Sequence, residues 1–497
     1  MDSPKRCLVA GATGYVGGRL VPELLAQGHQ VVVVARSPEK LRDLPWVDQV
    51  TVVAGDASDA ATLARALAGV EVAYYLMHSL QEGMNLEAVE RRVASTFAEA
   101  ARQAGVGRIV YLGGLLPLVP KQEMSAHMRS RAAVGEVLRA SGVPTIEFRA
   151  SVIIGSGSAS FEMLRYLTER LPVMVTPRWV HTLTQPIAIR DVLRYLVRAA
   201  DLPEAVNRPF DIGGPQVLTY QEMMQRYAAV AGLRPRVILP VPLLTPKLSS
   251  LWVNLVTPVP SAIARPLVQS LKHPAVAHEH DIAGYIPDPE SGLLPFDQAV
   301  RLALARVRDA AVTTRWSDAS FAGAPSDALP SDPSWAGGTV YTDVRERTSP
   351  AAPEQVWAAV EQIGGEHGWY SASLLWQVRG LIDRLSGGVG LRRGRRDPKS
   401  LRTGDAVDFW RVEERRPPSL LRLRAEMKMP GRAWLEFILE PTPSGGTLLR
   451  QRAVYLPKGL TGHLYWWSVL PFHALVFPQM AEHIVQHAGD RSRHPAG

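Results

Sequence analysis

A single cysteine, Cys7, occurs in 497 residues. Its isolation excludes an internal disulfide framework and removes the usual thiolate metal sites, which fits a reducing compartment, with cytoplasm the expected location. The amino end, MDSPKRCLVAGATG, lacks the long apolar stretch of a secretory signal and runs straight into a strand and a glycine loop, so it is read as mature sequence. Charge of one sign forms no long block: the formal net charge of +8 comes largely from arginines spread along the chain. That distribution favours phosphate-bearing small ligands or an anionic membrane surface over nucleic acid. Uninterrupted apolar runs are missing too. Leu248 to Ala264 and Gly459 to Ala481 carry no formal charge, but Pro258 and Pro260 break the first, and Pro471, Pro478, His463 and His473 the second. A spanning helix needs ~20 mostly apolar residues. Both stretches are expected to be buried in a domain, with peripheral membrane contact the alternative.

What is present is enough for two hydrophobic cores. Strand-like runs alternate with helical patterns in the first half, the rhythm of a parallel sheet with crossover helices. Strands are expected at Arg6 to Ala10, His29 to Ala35, Val50 to Ala54, Val72 to Tyr75, Arg108 to Leu112 and Thr145 to Phe148. Helices are expected around Tyr15 to Gln27, Leu86 to Gln103 and Ser125 to Ala140. The fold class is therefore an α/β Rossmann doubly wound parallel sheet over residues 1–306, with a looser, proline-richer substrate lobe from about 155. Residues 307–334 read as a linker rich in Pro, Gly, Ser and Asp. Residues 335–490 form a second domain with a different grammar. A strand near Val340 to Glu346 precedes the short helix of PEQVWAAVEQIGG. From Leu421 to Met429 apolar and charged residues alternate at period two, an antiparallel strand with one wet face. Turns at Pro430-Gly431 and PTPSGG lead to strands at Trp434 to Glu440 and Leu448 to Tyr455, and a helix closes the chain near Phe472 to His487. No internal repeat is evident.

The strongest motif is CLVAGATGYVG, a strand, then Gly11, Gly14 and Gly17, then a helix. Gly11 permits the tight turn, Gly14 lets backbone amides approach a pyrophosphate, and Gly17 lets the helix pack close to the strand, with its N-terminus facing the phosphates. Cofactor choice is read at the end of the second strand, Ala35-Arg36-Ser37. No carboxylate stands there for ribose hydroxyls. Arg36 can pair with a 2′-phosphate, Ser37 can donate a hydrogen bond and Lys40 adds charge, so NADP(H) is expected before NAD(H). Arg36 stacking on adenine, indifferent to the cofactor, is the alternative.

GATGYVGG, VVVVARS, VAGDASD, AYYLMHS, RIVYLGGL and EFRASVIIGSGS together resemble the atypical extended short-chain dehydrogenases/reductases, including NmrA-like NADP-binding proteins, over roughly the first three hundred residues. The resemblance implies cofactor contacts by Gly11, Thr13, Gly14, Tyr15, Val16, Gly17, Arg36, Ser37, Asp56, Ala57, Leu76, Met77 and His78. It does not transfer the family's catalytic set. Where those enzymes place a serine after the fifth strand and Tyr-x-x-x-Lys on the next helix, this chain has Leu112-Gly113-Gly114 and His127-Met128-Arg129-Ser130-Arg131. In their place His127 is a candidate acid and Arg131 a candidate holder of the nicotinamide ribose, a solvated histidine being the alternative.

Other signals are weaker. His278-Glu279-His280 has the look of a metal clip without a third ligand, and no metal is expected. Asp191 is expected to cap or orient a helix. LRRGRRDP reads as a solvated basic loop that could instead grip a phosphate or an acidic surface. Phe409-Trp410 and Trp466-Trp467 line a ligand cavity or belong to the core. The second domain resembles the helix-grip arrangement of the START and polyketide-cyclase superfamily (SRPBCC), which implies an apolar cavity for a lipid, quinone or polyketide-like ligand. These readings converge on an NADP(H)-dependent oxidoreductase acting on a hydrophobic carbonyl or quinone. A non-catalytic NADP(H) sensor and a peripheral membrane lipid-binding protein stay open as alternatives. Oligomeric state and substrate identity have no sequence signal.

Overall fold

The computed structural model describes residues 3–36, 38–41, 44–77, 86–176, 178–240, 268–310, 339–364, 369, 400–443 and 445–493. The chain forms two compact units, Met1–Ala310 and Gly338–Gly497. The sequence boundary near Ser334, the uncharged stretch Leu248 to Ala264 and the basic segment LRRGRRDP lie outside the described residues.

In the first unit, strands β1 (Arg6–Ala10), β2 (Gln30–Ala35), β3 (Thr51–Ala54), β4 (Val72–Tyr75), β5 (Arg108–Gly114) and β6 (Thr145–Ala150) join the strand Arg208–Ile212 in one sheet. The order is Arg208–Ile212, β6, β5, β4, β1, β2, β3, and every pairing is parallel. Strand order reverses direction between β1 and β4, the switch point at which such sheets open a crevice at their carboxyl ends. β1 shows why the sheet forms: Cys7 and Val9 face one layer, Leu8 and Ala10 the other, and all four are fully buried. Helix α1 (Tyr15–Ala26) covers one side with the helix Ile189–Arg198, and α2 (Ala60–Ala66) and α3 (Leu86–Gln103) cover the other. Helix α4 (Ala126–Arg139) starts at Ser125, whose hydroxyl accepts from the Met128 amide. A satellite lobe packs the helices Ala159–Arg170, Tyr220–Val230 and Phe296–Ala310 around their own apolar cluster. It holds a buried ion pair, with Arg165 Nε donating to Glu162 at 2.7 Å and Glu162 accepting from the Gly157 amide at 2.9 Å.

The second unit is a six-stranded antiparallel sheet with a long C-terminal helix, Gly459–Arg493, packed on it beside the short helix Pro353–Val360. Its strands in spatial order are Tyr341–Ser349, Thr447–Pro457, Gly431–Pro441, Leu420–Ala425, Trp410–Arg416 and Ala406–Val407.

Several sequence expectations need correction. The alternation from Leu421 to Met429 forms a strand only as far as Ala425, and its polar side is not uniformly wet. Arg422 is buried because a charge ladder runs across the neighbouring strands: its Nε donates to Glu436 at 2.8 Å, Arg452 Nε donates to the same carboxylate at 2.8 Å, and Glu414 takes its other end. The last helix begins at Gly459 rather than near Phe472 and carries Pro471 and Pro478 inside it. A proline in a helix removes one hydrogen bond and bends the axis without ending the helix when packing holds both halves. Phe409 and Trp410 belong to the core, where Trp369 stacks on Phe409 at 6.0 Å, while Trp466 is buried and Trp467 is 60 % exposed.

Candidate functional site

Gly11 opens the site with φ +104°, a left-handed conformation, and a Cβ there would stand 2.8 Å from the Leu76 carbonyl oxygen. The glycine turn closes through the Gly14 amide, which donates to the Gly11 carbonyl at 2.9 Å. A side chain on Gly17 would overlap that same carbonyl, so α1 approaches the strand end only because residue 17 has none. Gly14 is the N-cap of α1, yet no side chain caps the helix there and no acid sits in its first turn. The first amides of α1 and its positive dipole end are therefore left for an anion. Thr13 and Gly14 are exposed, Tyr15 and Val16 half-buried, and Ala12 and Gly17 buried, which makes the turn a surface cradle on a packed base.

The neighbouring strand ends complete the crevice. Arg36 is exposed at the end of β2. Beyond β3 the Gly55 amide donates to the Ala35 carbonyl at 3.1 Å and carries the chain to Asp56 and the buried Ala57. The Ser58 amide, 2.8 Å away, and the Ser58 hydroxyl hold the Asp56 carboxyl below the usual carboxylate range, with Arg36 assisting. After β4 the Leu76 amide donates to the Ala10 carbonyl at 2.9 Å, so Leu76 and Met77 border the glycine turn. Ser37 and His78 lie outside the described residues, as does the Lys40 side chain. The structure thus brings together Gly11 to Gly17, Arg36, Asp56, Ala57, Leu76 and Met77 at the carboxyl ends of β1 to β4.

His127 and Arg131 lie one turn apart on α4. Arg131 Nη1 donates to the Leu112 carbonyl at 3.3 Å, which places the guanidinium at the carboxyl end of β5. Burial, with Arg131 nearby, pushes the His127 imidazole down to about 3, so it is neutral at pH 7 and carries no spare proton. It can still donate an N–H, but not as an imidazolium. Because the unfolded imidazole titrates near 6.5, the unfolded chain binds one proton more than the folded one between that pH and about 3. Stability therefore rises with pH across this window and is lost on acidification. Replacing His127 with Asn should flatten the fall in melting temperature between pH 7 and pH 5; an unchanged slope would mean that the imidazole is not held neutral.

Two groups had no place in the sequence reading. Arg19 is buried on α1, donates to the carbonyls of Tyr15 at 3.1 Å and Ser156 at 3.0 Å, and lies over the Tyr15 ring. It ties the first turn of α1 to the loop after β6, where Gly155 has no room for a side chain against the Tyr15 hydroxyl. Glu90 is buried on α3 and accepts from the Ser130 hydroxyl beneath α4. Its position on the same face as Ala94, Phe97 and Ala101 was the available signal, an acid on an apolar stripe. Asp191 accepts from the Leu294 amide at 2.9 Å and so orients a distant loop rather than capping its own helix. Glu279 accepts from the amides of Asp211 and Asp281, a backbone clamp, and no metal-binding cluster occurs among the described residues. A cavity of about 430 Å³ between α3 and α4 involves Arg129 and Ala133, on the side of α4 away from His127 and Arg131; Glu87 and Glu136 engage its cations.

Comparison with known proteins agrees with this geometry. A family model described as NAD(P)H-binding matches residues 11–148, from the first glycine of the turn to the middle of β6. The first unit is an NAD(P)H-binding Rossmann domain. A second model, described as a protein of unknown function (DUF2867), matches residues 335–480. Among curated proteins, the domain is similar to NADH dehydrogenase [ubiquinone] 1 alpha subcomplex subunit 9 of Mus musculus, 26 % identical over 241 residues, and to divinyl chlorophyllide a 8-vinyl-reductase of Zea mays, 28 % identical over 247. These alignments cover 47 % and 46 % of this chain and 63 % and 60 % of those proteins, so the chain spans less than two thirds of either relative. Of solved structures, triphenylmethane reductase of Citrobacter sp. complexed with NADP(H) is 22 % identical, covers 60 % of this chain and 100 % of its own, and gives a TM-score of 0.48.

Proposed function

We propose that the protein is an NADP(H)-dependent oxidoreductase acting on a hydrophobic carbonyl or quinone. The observation that carries this is the open glycine cradle beside Arg36: an uncapped, acid-free helix start for the pyrophosphate and a guanidinium where an NAD-specific site would hold a carboxylate. Bound there, a reduced nicotinamide supplies a hydride. Gly11 to Gly17 position the pyrophosphate, Arg36 and Ser37 take the 2′-phosphate, and Arg131 at the end of β5 orients the nicotinamide ribose. His127 donates a hydrogen bond through its neutral ring, and the proton that balances hydride transfer comes from water. The SRPBCC reading of the second unit is supported by its topology: the first strand lies beside the last, the others follow in order, and the long final helix packs across them. In that reading the second unit takes an apolar ligand of its own. The relatives' names, a reductase among them, fit redox chemistry.

Replacing Arg36 with Ala should weaken NADPH binding ~10- to 100-fold, the loss of one charge-assisted contact of ~1.5–3 kcal/mol, and leave NADH binding nearly unchanged. Titration by cofactor fluorescence reads this directly, and equal losses for both cofactors would reject the 2′-phosphate assignment. NADPH consumption across a panel of quinones and aldehydes tests turnover. The neutral His127 and the missing Tyr-x-x-x-Lys favour one second reading, a sensor that binds oxidised and reduced cofactor unequally without turnover. Equal affinities would remove it.

A further inference from the structure

The uncharged start of the final helix is only half buried. Trp466 is held in the second unit, stacked on Tyr341 at 5.2 Å and on Tyr455 at 5.8 Å, and Val476, Phe477, Met480 and Ala481 join the core. By contrast, Leu460, Leu464, Trp467, Phe472 and Leu475 are 39–60 % exposed. Their spacing keeps them on one helical stripe, and no charged residue interrupts the chain from Gly459 to Ala481. Cations stand around the start of the helix. Lys428, Arg432 and Lys458 stand at the turn and the helix start, and Arg432 and Lys458 are exposed. The turn that carries Lys428 and Arg432 is pinned to the helix start: the Lys458 amide donates to the Pro430 carbonyl at 2.9 Å, and Gly462 packs against Pro430 and Pro457 with no room for a side chain. The first acid of the helix, Glu482, is engaged by Arg347 at 2.9 Å. No described helix is long and apolar enough to cross a membrane.

We propose that this stripe docks the second unit on an anionic lipid bilayer, the helix lying in the plane of the interface. Trp467, Phe472 and the leucines enter the headgroup boundary, and Lys428, Arg432 and Lys458 meet lipid phosphates. An apolar face with an aromatic side chain and basic flanks is the composition of interfacial helices, and charge complementarity selects a bilayer over another protein. The proposal does not depend on the redox reading, since its surface lies wholly within the second unit.

The test is co-sedimentation of the full chain with phosphatidylcholine vesicles, alone or with about 30 % phosphatidylglycerol. The wild type should pellet with the anionic vesicles and be largely released at about 0.5 M salt. Leu464→Gln, Trp467→Gln and Leu475→Gln combined should lower partitioning about tenfold or more, since each removes apolar surface from the interface. NADPH affinity should not change, because all three side chains lie in the second unit; the melting temperature should fall only slightly, since Trp467 loses an edge-on contact with Tyr341 at 6.0 Å. Lys428→Glu, Arg432→Glu and Lys458→Glu combined should abolish the preference for anionic lipid. A wild type that stays in the supernatant, or a triple apolar variant that pellets as well as the wild type, overturns the proposal. So does a wild-type dimer that ignores vesicles and dissociates in the apolar variant, because the stripe would then belong to a second copy.

Discussion

Gly17→Ala is expected to raise the dissociation constant for NADPH at least about 100-fold, or ~2.7 kcal/mol. The added Cβ would overlap the Gly11 carbonyl and lie 3.1 Å from the Ala12 Cα, and both obstacles are backbone. No rotamer change relieves a backbone clash. Helix α1 must withdraw from the turn, and its first amides move with it. Relief by withdrawal also opens the packing of Leu20, Val21 and Leu24 against the sheet, so the melting temperature should fall as well. A control separates these effects. Gly28, at the other end of α1, has φ +82°, and a Cβ added there would meet nothing within 4 Å. Gly28→Ala carries the left-handed backbone strain of roughly 1–2 kcal/mol and no clash. It should lower stability and leave NADPH affinity intact. If Gly17→Ala behaved like Gly28→Ala, the glycine turn would be a structural feature only.

The second large effect belongs to Glu436, which has no solvent exposure and serves two guanidinium groups. Glu436→Ala leaves the buried Arg422 and the largely buried Arg452 without their shared carboxylate. Breaking a buried pair in this way costs about 3–5 kcal/mol. In a unit of this size that corresponds to a drop of about 10 °C in its melting transition. Calorimetry of the full chain should show the shift in the transition of the second unit, with the cofactor-stabilised transition unmoved. Desolvation, rather than lost attraction, dominates the cost. Hence replacing Arg422, Glu436 and Arg452 together with apolar residues of similar volume should be milder than Glu436→Ala alone. A triple variant less stable than the single one would show that the ladder contributes net attraction.

The parallel sheet was the most legible part of the chain. β1, β2 and β4 are short apolar runs because their two faces are both covered, and a run of that kind bounded by turn residues has few other readings. The seventh strand, Arg208–Ile212, escaped because RPFDI carries Arg, Pro and Asp. It pairs on one side only, with β6, and an edge position tolerates a proline that a central strand would not. The expected start of the final helix near Phe472 has a related reason: Pro471 looks like a boundary, and only packing against the sheet carries the helix through it to Gly459. At the site, the glycine turn was legible because its function is local, each glycine answering to backbone within a few residues or to the neighbouring strand. The state of His127 was not legible. Desolvation in the packed molecule pushes its imidazole down, and the same residue on a solvated helix would keep an ordinary one. Arg422 carries the same lesson, a charge whose surroundings are supplied by Glu436 and Glu414 on the strands at either side.

Strand order in the second unit also sets when it can fold. Tyr341–Ser349 pairs with Thr447–Pro457, so the first strand made waits for the last, separated by about a hundred residues of chain. At ~5–20 residues per second, a nascent chain carries that unpaired edge for about 5–20 s before its partner leaves the ribosome. The final helix, which buries the sheet's apolar face, comes later still. This unit therefore closes only once the last strand and the final helix have been made, while the Rossmann sheet of the first unit, complete by Ile212, has long been available to fold. A stop codon before Thr447 would leave a first unit able to fold attached to a second that cannot, and the unpaired first strand would be the place where such chains begin to associate.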